Sequence, residues 1–291
     1  EGFNNPRMIA GTQGQVWDLE KTNGEILCGH TNGTFKVKGD TISKISNVNG
    51  GFDLLEIRRG DKPYLLQSTY SSLVLYQRTD EGWTYMRSLA GLLEPIPDIE
   101  SDHLGHIWAT HTQKGLFRFR LNQALDSVTN LKNFGKQQGF STERYIRMTK
   151  IQNRIVFSTG RSLFTYDDLH DSIIPYKKLE GKLNGFHQAR QIVSSGENHY
   201  WFLKNGKIAL FKITAQEVTK QFTYDLSRMG LYLISTHPDI IELRDSLHLI
   251  CLDRGFAILD ETRVEKEGYT PEVVIRKAMA SSKKRDHTYL G

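Results

Sequence analysis

His103-Leu104-Gly105-His106 places two imidazoles three positions apart. Such a pair holds a metal when both rings share a helix face and an acidic or thiolate companion stands at the ligand spacing. No acidic companion stands at that spacing here, and Gly105 marks a turn, so the segment reads as a solvated turn without a metal. Carboxylates cluster twice, as Glu94, Asp98, Glu100 and Asp102, and as Asp167, Asp168 and Asp171. Glycoside hydrolysis needs two of them facing each other across a substrate, which spacing alone does not place. Asp167, Asp168 and Asp171 read more simply as a turn after a strand, because Asp side chains accept hydrogen bonds from nearby backbone. Gly-x-Ser-x-Gly and phosphate-loop patterns are absent. The glycines fall one per turn, as turn residues do. No residue is therefore assigned a catalytic role, and no cofactor is implied.

Cys28 and Cys251 stand in apolar runs, Ile26-Leu27-Cys28 and Leu249-Ile250-Cys251. Two cysteines so far apart form neither a disulfide framework nor a metal site, and they are expected to be unpaired. The 291 residues include 14 Phe, 12 Tyr and 4 Trp, ample material for a core. A chain of this length buries most of its apolar surface without staples. The net charge of +5 is mild, and its lysines and arginines are scattered apart from Lys283, Lys284 and Arg285. Nucleic-acid binding needs a basic stripe or patch, so direct nucleic-acid contact is not expected. No apolar run reaches the roughly 18 residues that would span a membrane as a helix. The first residue is Glu1, which reads as a processed or excised piece, so missing targeting signals carry no information.

What must position these residues is a repeat. Six segments share one plan: an apolar strand, a polar turn, a second apolar or aromatic strand, a second turn, then an alternating strand. The second turn is marked by Gly33, Ser72, Gly115, Ser162, Lys207 and Gly255, at steps of about 39 to 48 residues. A period near 44 matches a four-stranded propeller blade. No segment sustains a 3.6-residue apolar pattern, which argues against a helical solenoid. The chain is read as all-β, a β-propeller of about six four-stranded blades, either six or seven closing as a ring or a part of a larger propeller array. Inner strands are expected near Val16–Glu20, Asp53–Ile57, Ile96–Glu100, Ile146–Ile151, Arg190–Ser194 and Ile240–Arg244. Outer strands are expected near Gly82–Arg87 and Gln216–Tyr224. Trp17, Trp108 and Trp201 are expected to fill the wedges between blades.

The segment Gly105-His106-Ile107-Trp108-Ala109-Thr110, followed by Gly115-Leu116-Phe117-Arg118-Phe119, resembles the two-component regulator propeller repeat. That repeat reads roughly Gly-x-Ile-Trp-Ile-Gly-Thr and then Gly-Leu-x-x-Tyr. Gly24-Glu25-Ile26-Leu27-Cys28-Gly29-His30 with Gly33-Thr34-Phe35 is similar, whereas repeats four to six have lost much of the motif. Tyr269-Thr270-Pro271-Glu272-Val273-Val274-Ile275-Arg276-Lys277 looks like the first strand of the immunoglobulin-like triple-tyrosine module that follows such propellers. The domain reading is a propeller over residues 1–266, then a linker and the first strand of that module over 267–291. The resemblance implies the periplasmic sensor region of a membrane-anchored bacterial regulator. The adjoining propeller and triple-tyrosine module would be its partners, with a homodimer among the arrangements allowed. Kinase or DNA-binding output would lie outside this chain.

Within a propeller, the turns between second and third strands share a face with the links between blades. Those turns carry His30, Tyr70, His111, Gln113, Arg161, Lys204 and Arg254, the candidate ligand-binding face. The long polar groups suit hydrogen bonding, and Tyr70 could stack on a ring. Arg161 and Arg254 favour an acidic or hydroxyl-rich ligand, because a guanidinium presents a fork of donors. The leading reading is recognition of a small polar ligand, glycan-derived among others, or of a partner domain. The alternative is a propeller lyase or glycoside hydrolase, which a carboxylate pair, or a His with a Glu, converging on the central channel would favour.

Overall fold

Successive side chains of a strand point to opposite faces, so a strand apolar at every position needs apolar partners on both sides. Ile107-Trp108-Ala109 shows the consequence. Ile107 and Ala109 join the core between the second and third sheets, while Trp108 joins the core between the third and fourth. Tyr200 and Phe202 face back toward the fourth sheet, and Trp201 and Leu203 face forward toward the sixth. A sheet with this pattern is stable only between two others, and a ring of sheets supplies both neighbours.

The computed structural model describes residues 9–136, 140, 144–234, 238–244, 246–263, 278–282 and 285–289. Six antiparallel meanders stand in a ring, a six-bladed β-propeller. Blade 1 comprises β1 (Val16–Thr22), β2 (Glu25–His30), β3 (Gly33–Lys38) and β4 (Thr41–Ser46). Blade 2 comprises β5 (Leu54–Arg59), β6 (Lys62–Ser68), β7 (Leu73–Thr79) and β8 (Gly82–Leu89). Blade 3 comprises β9 (Ile99–Ser101), β10 (Ile107–His111), β11 (Gly115–Leu121) and β12 (Val128–Phe134). Blade 4 comprises β13 (Arg147–Ile151), β14 (Arg154–Ser158), β15 (Leu163–Asp167) and β16 (Ser172–Pro175). The link to blade 5 carries the short helix α1 (Lys177–Glu180). Blade 5 comprises β17 (Gln191–Ser194), β18 (His199–Lys204), β19 (Lys207–Ile213) and β20 (Val218–Asp225). Blade 6 shows three strands among the described residues, β21 (Ile240–Arg244), β22 (Leu247–Leu252) and β23 (Gly255–Asp260). Beyond it, β24 (Ala278–Ser282) and β25 (Arg285–Tyr289) pair as a separate antiparallel hairpin. The segment read as the first strand of a following module, 269–277, lies outside the described residues, as do Lys283 and Lys284.

The six expected inner strands are all present, although the third begins at Ile99, three residues later than expected. Both expected outer strands form, as β8 and β20. Five apolar clusters each occupy one blade junction, from blades 1 and 2 round to blades 5 and 6. No such cluster spans the junction of blades 6 and 1 among the described residues. There Asp18 of β1 and Asp239, just before β21, stand close enough for their charges to interact.

Trp108 and Trp201 are fully buried wedge fillers, as their two-sided strands require. Trp17, of an inner strand, fills its wedge only in part: it is half-buried and packs edge-on against Phe52 and Tyr70 at the inner end of the junction of blades 1 and 2. The buried part of that wedge is filled by Trp83 of β8, with Tyr76 and Leu27. The His103–His106 turn is organised by Asp102, which is buried. Its Oδ2 accepts from the Trp108 Nε1–H at 2.9 Å and lies 3.1 Å from His106 Nδ1. Asp167 takes the expected turn role, accepting the Leu169 N–H at 3.0 Å.

Cys28 and Cys251 are both free. They occupy the second strands of different blades, which the ring holds apart. Thiol titration of denatured, unreduced protein should count two free thiols, and a count of zero would contradict this topology. Trp108→Ala should cost about 3–5 kcal/mol in urea unfolding, as large-to-small core changes do. Leu169→Ser, at a side chain 92% exposed, should change stability by no more than about 0.5 kcal/mol.

Candidate functional site

The turns between second and third strands need an acceptor for the backbone N–H groups that the reversal frees. Blades 1 and 3 use histidine for this, and blades 2 and 4 use threonine. His30 Nδ1 accepts the Asn32 N–H at 3.0 Å. His111 Nδ1 accepts the Gln113 and Lys114 N–H groups at 3.0 and 3.1 Å. Thr69 Oγ1 and Thr159 Oγ1 receive the corresponding N–H groups of Ser72 and Ser162. Both imidazoles are buried, so His30 and His111 are turn caps first. His111 Nε2 also lies 3.3 Å from a Glu94 carboxylate oxygen. Burial is the main reason that its pKa is lowered, against the pull of Glu94.

The other candidate residues stand where the repeat placed them, in the same set of turns, and do different things. Gln113 and Arg161 extend into solvent. Lys204 is bound to the carbonyl of Gly185 at 2.9 Å. Arg254 lines a 280 Å3 cavity with Leu231 and Tyr232 at the blade 6 turn. Tyr70 alone among the seven joins an aromatic group at the inner strands. Its hydroxyl accepts from Trp17 Nε1–H at 2.8 Å. Its ring meets Phe52 edge-on at a centroid separation of 5.2 Å, and Trp17 meets Phe52 at 5.1 Å. The Tyr70 ring lies so close over Gly50, itself at φ +73°, that a Cβ there would stand 2.1 Å from it. Glycine is therefore required at position 50 for this packing.

Trp17 and Phe52 each precede a carboxylate on an inner strand, Asp18 and Asp53. Asp98 and Asp239 hold the matching places in blades 3 and 6, and Arg147 does so in blade 4. The correspondence is in the pairing: Asp53, Asp98 and Asp239 offer their carbonyls to the N–H groups of Ser68, Thr110 and Cys251, and Arg147 stands opposite Ser158. The four carboxylates and one guanidinium thus stand at or just before the inner strands of five of the six blades, blade 5 contributing none.

Two of these carboxylates latch one blade to the next. Asp53 Oδ2 accepts the Ile99 N–H at 2.8 Å. Asp98 Oδ1 pairs with Arg147 at 2.9 Å, and its Oδ2 accepts the Thr110 hydroxyl at 2.9 Å. Burial, and then the neighbouring charges of Asp18 and Asp98, push the Asp53 carboxyl well above the usual range. Burial likewise raises Asp239. Asp18 is raised to about 7 by burial, then by Glu20 and Asp239, against the Leu19 N–H. Asp18 is half-exposed to water, although protein surrounds it, which is the situation of a side chain lining a narrow channel. No other side chain among the described residues is bonded to it, so its oxygens remain available.

The arrangement can accept hydrogen bonds from hydroxyl or amine groups beneath an aromatic wall. The acidic ligand that Arg161 and Arg254 suggested gains no support at the channel, where the one guanidinium of that set, Arg147, is already paired with Asp98. Sequence reading missed Asp18, Asp53, Asp98 and Asp239 as a set. Their signal was there: an aspartate recurs at one position of the inner strand, in phase with the blade period.

No family model matches the sequence, and neither does any curated protein. Similar folds do occur among solved structures. The extracellular domain of BT4673 from B. thetaiotaomicron, described as a one-component and as a hybrid two-component system, matches in two crystal structures. Their TM-scores are 0.58 and 0.60 at 12% identity, over 90% and 88% of this chain. The chain spans only 37% and 36% of the length of those domains. Virginiamycin B lyase from Staphylococcus aureus, in a catalytically inactive form with quinupristin, matches at TM-score 0.56 and 13% identity. That match covers 86% of this chain and 80% of the lyase. At these identities the likeness is one of fold.

The sign of the pH effect follows from the Asp18 shift. Unfolded, this carboxyl loses its proton near 3.8; folded, it keeps it to about 7. The folded state therefore binds more protons between those values, so stability falls as pH rises through that window. Asp18→Asn should raise the melting temperature at about pH 8 and leave it nearly unchanged at about pH 4. Equal effects at both pH values would show that Asp18 titrates normally.

Proposed function

We propose that this propeller is the ligand-recognition region of a bacterial signalling regulator, and that it binds a small hydroxyl-rich ligand, such as a saccharide, at the channel mouth. The observation that carries this is the Trp17–Phe52–Tyr70 group beside the free Asp18 carboxyl. Aromatic faces receive the C–H faces of a sugar, and carboxyl oxygens receive its hydroxyls, the mixture of apolar wall and few polar groups usual in ligand sites. Arg161 and Arg254 on the surrounding turns extend this rim. The fold shared with the extracellular domain of BT4673 supports the signalling reading, as does the two-component repeat motif of blades 1 and 3. On this reading the propeller sits outside the cytoplasmic membrane in an anchored parent protein. It passes a change in occupancy to adjoining modules and contacts no nucleic acid itself.

A specific observation favours a second reading. Asp53 stands close enough to both Asp18 and Asp98 for their charges to interact, a grouping of the kind a hydrolase or lyase would need. Their environments also differ: Asp98 is paired with arginine, whereas Asp18 is held protonated toward neutral pH by burial. Carboxyls pushed apart in this way can divide acid and base roles. Two of the set, Asp53 and Asp98, are however occupied as blade-to-blade latches, which favours binding without turnover.

The two readings separate in one experiment. Tryptophan fluorescence and melting temperature are followed against a panel of neutral mono- to tetrasaccharides, and each sugar is recovered and analysed by NMR. A saturable signal is expected for at least one sugar, lost by about tenfold or more in Trp17→Ala and in Asp18→Asn, with the sugar recovered unchanged. Cleaved or unsaturated products that vanish in Asp18→Asn would establish the enzyme instead. Binding that persists undiminished in both variants would remove the site from the channel mouth.

A further inference from the structure

A larger cavity, of about 380 Å3, lies where blades 3, 4 and 5 meet, between the link that carries α1 and the turns at the other end of the blades. The turns β9–β10, β13–β14, β15–β16 and β19–β20 border it, and α1 with Lys182 forms one side. A volume of this size holds a small organic molecule. Ile151, Leu179 and Ile213 make an apolar floor, all buried.

The rim is basic. Arg154, Lys178 and Lys182 line the cavity, and none of them is in an ion pair among the described residues. The two acidic residues at the cavity are already engaged. Asp102 is taken up by Trp108 and His106, and Asp168 faces His103 at 3.3 Å. Elsewhere the surface pairs many of its cations, as Lys36 with Glu25, Lys114 with Glu94 and Lys177 with Glu180. Lys177 is the immediate neighbour of Lys178, so the free ammonium at 178 is not a general property of this helix.

Arg154 is also held in place. One of its nitrogens, Nη1, donates to the Tyr166 carbonyl at 3.2 Å, and its guanidinium lies 5.9 Å from the centre of the Tyr176 ring. A guanidinium has five N–H donors, so most of its fork remains open. An oriented guanidinium beside two free ammonium groups matches the bidentate demands of a carboxylate or phosphate. A neutral sugar would leave these charges unused, and a nucleic-acid strand would need a continuous basic stripe rather than one cavity.

We infer that this cavity is a second binding site, for a small molecule that carries a carboxylate or phosphate on a compact apolar or ring-shaped body. The anionic group sits between Arg154, Lys178 and Lys182, and the body rests on the Ile151–Leu179–Ile213 floor. The site is independent of the channel mouth, so the two stand or fall separately.

Isothermal titration with phenyl phosphate and with benzoate tests it, using phenol as the neutral control. At least one of the anions should bind saturably, with an affinity of about millimolar or tighter, and phenol should show no saturable binding at the same concentrations. The Arg154→Ala/Lys182→Ala variant should weaken the anion by about tenfold or more, and Arg154→Lys, which keeps the charge and loses the fork, by a smaller factor. Lys177→Ala should leave the affinity within about twofold. These substitutions are at the surface, and an unchanged melting temperature confirms the fold. The inference is overturned if neither anion binds saturably, if phenol binds as well as the anions, or if Arg154→Ala/Lys182→Ala binds with unchanged affinity.

Discussion

The two-sided blade is the constraint on which the rest depends. Blades 2 to 5 each feed the apolar clusters on both their sides through strands that send odd residues one way and even residues the other. The pattern leaves no blade able to fold alone and makes every junction the partner of two sheets. It also explains why aromatic residues collect at junctions: a wedge between diverging sheets widens outward, and Trp83, Trp108 and Trp201 are the largest side chains available to fill it. Arg118 shows how a junction finishes at its outer edge. Its guanidinium covers the rings of Trp108, Phe134 and Tyr166 and pairs with Asp171 at 2.9 Å, so the apolar wedge is sealed by a charge that stays in contact with water.

The same constraint decides where chemistry can be. A middle strand has no face to spare, because both are committed to packing. Only the innermost strand, which faces the channel, and the turns at the two ends of each blade are free to carry polar groups. Asp18 and Arg147 lie on inner strands, and Asp53, Asp98 and Asp239 lie immediately before them. The basic cavity is bounded by turns. The charges therefore separate by location, with carboxylates in the channel and free cations at the outer site. A formal net charge of only +5 conceals that division, since net charge carries no information on placement.

The fold was legible because its determinant is periodic and local. Gly33, Gly115 and Gly255 mark equivalent turns, and the apolar strand between turns reads at once as two-sided. The inner strands followed from the same phase, and the misplaced start of β9 traces to Ile96, an apolar loop residue fully buried between blades 2 and 3 without belonging to a strand. The site was less legible. His30 and His111 look like functional residues in sequence because imidazole is chemically versatile, yet here their Nδ1 atoms do the work that Thr69 and Thr159 do elsewhere. Nothing local distinguishes an imidazole that caps a turn from one that meets a ligand. Trp17 was legible only in part. Its size suggested a wedge filler, and it does pack against Phe52 and Tyr70, but its inner-strand position leaves it half-buried. Residue type was weaker evidence than position in the repeat, and Asp18 with its equivalents shows that position alone would have found the channel.

The junction between blades 6 and 1 brings these arguments together. It is where the chain closes on itself, and it lacks the apolar cluster that the other five junctions have among the described residues. In its place stand Asp18 and Asp239, whose protonated forms are favoured by burial, and for Asp18 also by the charges of Glu20 and Asp239. Cys28 and Cys251 flank them, each with its thiol pushed up by burial and then by the neighbouring aspartate. A ring closed by oil alone would be indifferent to what occupies its channel. A seam lined by carboxyls is not, because a ligand that donates hydrogen bonds to Asp18 changes the balance of charge and solvation at the seam itself. In the proposed recognition role, the residue that meets the ligand also stands at the seam where the ring closes, so occupancy and the electrostatics of closure are linked through a single side chain.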